Sequence, residues 1–154
     1  MDISILGCIA PEVADHMPWF MPVLAVVTGA VFGSYLTCAL YRAPLGLSLW
    51  RPPSYCPSCK KTLRARDLVP VLSWVYYRGR CGQCKTPISP RYLLIEVLSI
   101  TIAFLALKAS GGGFSYLLGY GFAVSVGAGA YFLFKHRQLP LKSVAFGLLC
   151  LGLY

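Results

Sequence analysis

Long apolar stretches separated by one extended polar segment set the pattern of this chain. From Pro18 to Tyr41 (PWFMPVLAVVTGAVFGSYLTCALY) there is no charged side chain, and roughly 20 apolar residues suffice for a helix to cross the hydrocarbon of a bilayer. A second stretch, residues 93–109, contains one acid, Glu96, near its start. It is slightly short for a span, so Arg91 and Lys108 are expected to snorkel to the two interfaces. A third, residues 114–134, is again free of charge. The last, residues 143–154, is too short to cross unaided. It reads as a re-entrant end, a helix buried among neighbours, or a span cut short. A turn at 110–113 joins the second stretch to the third, marked by Gly111, Gly112 and Gly113.

This pattern predicts an all-α integral membrane protein of three to four transmembrane helices. A small loop domain, residues 42–92, lies between the first helix (18–41) and the second (93–109). Composition agrees: charged residues are 12% of the chain, half of the roughly 25% that a water-facing surface requires. The residues before Pro18 are acidic where a cleaved signal would be basic, so the first stretch reads as a retained anchor. No internal repeat or low-complexity segment is evident.

Charge orients the chain. Of its 14 Lys and Arg residues, ten fall between Arg42 and Arg91, against the single acid Asp67, whereas segment 1–17 carries Asp2, Glu12 and Asp15. The positive-inside rule therefore places segment 1–17 outside, the 42–92 loop in the cytoplasm, and the basic 135–142 segment (Lys135, Arg137, Lys142) inside as well. Topology and attraction to anionic headgroups account for the positive charge, so no nucleic-acid partner is expected.

Within the loop, Cys56-Pro-Ser-Cys59 and Cys81-Gly-Gln-Cys84 form two C-x-x-C pairs 21 residues apart. Each pair can make a tight turn that points two sulfurs at one ion, and two such turns complete the tetrahedral thiolate shell of a structural zinc site. Nearby basic side chains favour the thiolates, and four sulfurs leave no position for a metal-bound water, so scaffolding is expected rather than metal catalysis. Disulfides, disfavoured in a reducing compartment, and four free thiols are the alternatives. The loop lacks apolar residues for a core of its own, so ligation would supply its folding free energy. Cys8, Cys38 and Cys150 read as small apolar residues in or near lipid, and His16 and His136 are isolated.

Taken in order, Gly33-Ser34-Tyr35-Leu36, Tyr41-Arg42-Ala43-Pro44, Arg51-Pro52-Pro53-Ser54-Tyr55-Cys56, Asp67-Leu68-Val69-Pro70 with Ser73-Trp74, Gly79-Arg80-Cys81 and Ile88-Ser89-Pro90-Arg91-Tyr92 up to Glu96 resemble one family. It is the N-terminal part of the type IV prepilin leader peptidase/N-methyltransferases, over about residues 20 to 100. The resemblance implies a bacterial inner-membrane protein acting at the cytoplasmic face on prepilins or on pseudopilins of type II secretion. It also implies two activities, leader cleavage by two membrane aspartates and methylation of the new N-terminus with S-adenosylmethionine.

The aspartates are missing from this sequence. The family's first lies a few residues before a Leu-Pro pair, and from Leu139-Pro140 the register falls on Leu133; the second belongs to a Gly-x-Gly-Asp stretch not reached by residue 154. Aspartic proteolysis needs two carboxylates sharing a proton, and Asp2, Glu12, Asp15, Asp67 and Glu96 supply no such pair. A peptidase-inactive relative is expected. For methyl transfer the candidates are Glu96, about one turn into the second span, with Gly79 and Arg80 at a position the resemblance links to that activity. Glu96 could equally partner Arg91 or Arg80, and Asp67 could be a helix N-cap with Trp74 packing beyond it. No glycine-rich donor loop of the Rossmann type is visible. Three functions follow: a surviving N-methyltransferase, a non-catalytic binder of pilins or of pilus or secretion-platform subunits, or an N-terminal half completed by a separate chain. The second is favoured.

Overall fold

The computed structural model describes residues 16–49, 51, 53–111, 115–136, 145 and 147–150. The expectations for most of segment 1–17, the Leu139-Pro140 register, the basic 135–142 loop beyond residue 136 and much of the 143–154 helix lie outside them.

Regular structure among the described residues is helical, with no strands beyond two isolated bridges, Tyr55 with Thr62 and Arg80 with Pro87. Three helices are long: α1, Phe20–Arg42; α3, Arg91–Ala109; and α4, Tyr116–His136. All three are long and apolar enough to cross a membrane. Between the first two lie a short helix α2, Leu72–Tyr76, and two 3-10 turns, Ala43–Leu45 and Ala65–Asp67. At ~1.5 Å per residue α1 is about 34 Å long, enough to cross without tilt, and α3 is about 28 Å long, which agrees with its reading as slightly short. Val23, Val27 and Val31 of α1 and Leu94, Leu98 and Leu105 of α3 are exposed. Apolar residues on the outward faces of helices this long suit contact with lipid.

Two compact units make up the chain, one of residues 1–29 and 100–154, the other of residues 30–99. The core of the first is Met21, Ala25, Leu107 and Tyr116. Tyr116 is fully buried, and its hydroxyl lies 3.2 Å from Thr28 Oγ1, which also donates back to the Leu24 carbonyl at 2.9 Å. An interhelical hydrogen bond of this kind is worth about 1 kcal/mol in lipid.

In the second unit the end of α1 packs closely on the start of α3. A Cβ on Gly33 would stand 2.8 Å from Ser99 Cβ and 3.0 Å from Glu96 Cα, so only glycine permits this approach. Thr37, one turn on, is buried and returns its hydroxyl to the Gly33 carbonyl at 2.6 Å, so a polar side chain at the contact is satisfied within its own helix. The paired helix ends are the platform on which the 42–92 loop is built.

Candidate metal centre and its neighbouring cavity

Both C-x-x-C segments fold into the same turn. In the first, Lys60 N–H donates to the Cys56 carbonyl (2.8 Å) and Cys56 N–H to the Lys61 carbonyl (3.0 Å). In the second, Lys85 N–H donates to the Cys81 carbonyl (3.0 Å) and Cys81 N–H to the Thr86 carbonyl (2.9 Å). Lys60 and Lys85 both adopt positive φ, 59° and 62°. The bridges of Tyr55 with Thr62 and of Arg80 with Pro87 close the two turns alike. The two expected turns thus repeat one backbone geometry, although the sequence holds no internal repeat. The repeat resides in backbone hydrogen bonds, and only Cys, Cys and the following Lys are common to both sequences.

The two turns bring Cys56, Cys59, Cys81 and Cys84 together, with all four sulfurs within 4.8 Å of one another. Cys56 and Cys84 are 3.7 Å apart. Four thiolates about 2.3 Å from one ion stand about 3.8 Å apart at the corners of a tetrahedron, so the donor set fits a single metal ion. Cys56 and Cys81 are buried and Cys84 is exposed. The side-chain and backbone hydrogen bonds with Thr86, the former at 3.3 Å, hold the Cys84 thiol down to about 6. The Lys61 N–H works downward on Cys59, but burial and the neighbouring Cys84 and Cys56 sulfurs outweigh it and push Cys59 up to about 11. Cys56 is lowered, chiefly by the Cys59 N–H. A divalent cation at this position would let all four sulfurs ionise.

Beside the centre, in the same unit, lies a cavity of about 400 Å³ whose walls include Thr37 and Arg42 of α1, Trp74 of α2, Arg80 of the second cysteine turn, and Glu96 of α3. Glu96 is buried, and its Oε2 accepts the Val71 N–H at 2.7 Å. Its partner is thus a backbone N–H, and no ion pair with Arg80 or Arg91 is present among the described residues. Val71 itself has φ 62° and ψ −54°, and Leu72 N–H bonds to the Pro70 carbonyl at 2.6 Å. This is a γ-turn in its rare and strained form, adopted here by a β-branched residue.

Gly79, expected near a methyl-transfer position, has a structural reason to be glycine. Its φ is +69°, and an added Cβ would meet Trp74 Cζ2 at 2.7 Å. Arg80, in contrast, is exposed, with its N–H bonded to the Tyr77 carbonyl at 3.1 Å. Asp67 is no helix N-cap. It closes the 3-10 turn Ala65–Asp67, and its carboxylate accepts the Arg64 N–H at 3.0 Å. That N–H, with help from Tyr77 and the Arg66 and Arg64 charges, holds its carboxyl below the usual range. Leu133 is an exposed residue of α4.

Arg42, one of the ten basic residues and part of the Tyr41-Arg42-Ala43-Pro44 run, is buried. Its Nη1 donates to the Ser48 carbonyl (3.0 Å) and its Nη2 to the Pro53 carbonyl (3.4 Å), fastening the start of the loop to the end of α1. The signal that could have found it is the run Tyr41-Arg42-Ala43-Pro44, a cation at the last helical position before a proline that stops the helix.

These features define a class: a multi-pass membrane protein with, between two of its apolar helices, a two-turn, four-cysteine cluster that could hold a metal ion. The chain belongs to the family described as the bacterial peptidase A24 N-terminal domain, whose model matches residues 27–109, more than half of it. It is 39% identical over 112 residues to the type 4 prepilin-like proteins leader peptide-processing enzyme of Escherichia coli O78:H11, covering 61% of this chain and 41% of that protein. The prepilin leader peptidase/N-methyltransferase of Myxococcus xanthus is 34% identical over 134 residues, 85% of this chain and 40% of that protein. That of Legionella pneumophila is 29% identical over 161 residues, 90% of this chain and 56% of that protein. The chain spans about two-fifths of the length of the first two relatives. No solved structure matches.

Proposed function

We propose that this chain is a peptidase-inactive inner-membrane member of the family, with zinc in its cysteine centre and that centre in the cytoplasm. It would bind prepilins, pseudopilins or platform subunits of a type IV pilus or type II secretion system. The observation that carries the reading is the placement of its carboxylates. Asp67 is engaged by the Arg64 N–H and Tyr77, and Glu96 by the Val71 N–H. The position expected to carry the first membrane aspartate is Leu133. Water activation by an aspartic dyad needs two carboxyl groups sharing one proton, and an aliphatic side chain can neither hold nor accept one.

The test incubates the purified full chain in lipid nanodiscs with a prepilin substrate and follows both capture and leader cleavage. Co-purification without cleavage is the expected result; a leader cut by this chain alone overturns the reading. Cleavage that appears only when a second membrane protein supplies two aspartates would instead make the chain an N-terminal half-enzyme.

A second reading, N-methyl transfer from S-adenosylmethionine, is favoured by one observation, the buried Glu96 carboxylate in the wall of the 400 Å³ cavity. An amine must lose its proton before it accepts a methyl group, and a carboxylate held at the reaction site can take it. Transfer of labelled methyl to processed pilin, abolished in Glu96→Gln while the metal centre stays loaded, would establish it. Absence of label with the intact chain excludes it for that substrate.

A further inference from the structure

From the Pro70-Val71 turn through α2, the loop presents an apolar face. Leu68, Val69, Leu72, Val75 and Tyr76 are all exposed, Leu72 by 67% and Tyr76 by 80%. Leu72, Val75 and Tyr76 lie on one side of α2, and Leu68 and Val69 precede it in the chain. In water such a contiguous patch is costly and marks a surface with a partner.

The height of this face along α3 identifies the partner. Val71 donates its N–H to Glu96 at 2.7 Å, and Glu96 lies five residues into α3, about 7.5 Å along its axis from Arg91. Side chains lean toward the helix N-terminus, which lowers that height by part of a turn. Val71 therefore stands beside the first turn and a half of α3, where Leu94 and Leu98 are themselves exposed as a lipid-facing surface. The apolar face does not hang below the membrane; it is level with the start of a span.

Charge agrees. Arg64 and Arg66 precede the segment and Arg78 follows it, all exposed. The one acid nearby, Asp67, is taken up by the Arg64 N–H and Tyr77. An apolar face flanked by arginines fits the boundary between acyl chains and anionic headgroups.

We infer that residues 68–76 form an interfacial anchor, seated in the leaflet on the loop's side, with anionic phospholipid as its partner. Glu96 then has a structural reason to lie inside a span. At that depth an unpaired backbone N–H has no water to bond, and the Glu96 carboxylate satisfies the one that the strained Val71 turn leaves free. The anchor holds the metal-centred loop against the membrane surface. It depends on α1 and α3 crossing the bilayer and is independent of whether the chain binds pilins.

The test places the photoreactive residue p-benzoylphenylalanine at Leu72, at Tyr76 and, as a control beside the first cysteine turn, at Lys61. Each full-length variant is irradiated in nanodiscs containing phosphatidylglycerol and analysed by mass. Phospholipid adducts at residues 72 and 76 at least about fivefold above those at residue 61 are expected. Equal yields at all three positions, or adducts to protein alone, overturn the inference. If a variant loses its metal, a Tyr76→Trp substitution reads depth by fluorescence instead, with Trp19, Trp50 and Trp74 replaced by Phe. Quenching by lipids brominated near the top of the acyl chain supports the anchor, and unquenched emission overturns it.

Discussion

Replacing Cys81 with Ser is expected to unfold the loop between α1 and α3 while leaving the three long helices inserted. Cys81 is among the most buried residues of the chain, 1% exposed, and its N–H and carbonyl both bond within the second cysteine turn. Little else could hold the loop. Its described regular structure is one five-residue helix and two 3-10 turns, and its two bridges are isolated. Ligation of a structural zinc ion is worth on the order of 10 kcal/mol at neutral pH, larger than any other single contribution within the loop. Insertion, by contrast, depends on apolar length, which the substitution does not touch. Limited proteolysis of the protein in nanodiscs should show rapid cutting between residues 42 and 92, with helical circular dichroism nearly unchanged. A chelator should reproduce the effect in the unaltered chain, and added zinc should reverse it. A Cys81→Ser variant whose loop stays protected would show that the cysteine turns stand without the metal.

The next largest effect is expected at Gly79. A Cβ there requires the left-handed backbone of φ +69° and meets Trp74 Cζ2 at 2.7 Å. The first cost is about 1 kcal/mol for a residue other than glycine. The second, an overlap against a packed ring, is about 1–3 kcal/mol. Gly79→Ala should therefore destabilise the loop by roughly 2–4 kcal/mol, raising its opening equilibrium by a factor of about 30 to about 900. Proteolytic cutting under native conditions measures it. The outcome also bears on function, because any loss of methyl transfer in this variant would follow from displacement of Trp74 rather than from removal of a reacting group. Unchanged protection would mean that Trp74 moves aside at little cost.

The parts of the structure that were legible in the sequence are those fixed by local pattern. Uninterrupted apolar length gave α1 and α4, and the same rule found α3 despite Glu96. The C-x-x-C spacing gave the metal centre, because a turn that aims two sulfurs at one ion needs only the residues it contains. What could not be read depends on partners distant in sequence. Nothing in Pro70-Val71-Leu72 announces a γ-turn, since a valine at φ 62° is disfavoured on its own and persists only where other contacts fix it. The Glu96 carboxylate that receives its N–H lies 25 residues away. The role of Arg42 is hidden for a related reason: a cation at a helix end is usually a surface charge, and only the return of the loop carbonyls of Ser48 and Pro53 makes it a buried fastener. Asp67 differs, because its Arg64 N–H partner is only three residues before it, and the residue sits at the third position of a capped turn rather than at a helix N-cap.

Four sulfurs, those of Cys56, Cys59, Cys81 and Cys84, are expected to hold one metal ion in the loop between α1 and α3. X-ray absorption at the zinc edge, on protein purified under reducing conditions, tests it most directly. One equivalent of zinc per chain, surrounded by four sulfurs at about 2.3 Å, is the predicted result. Protein carrying no metal, with the four thiols free to react or joined as disulfides, would contradict it.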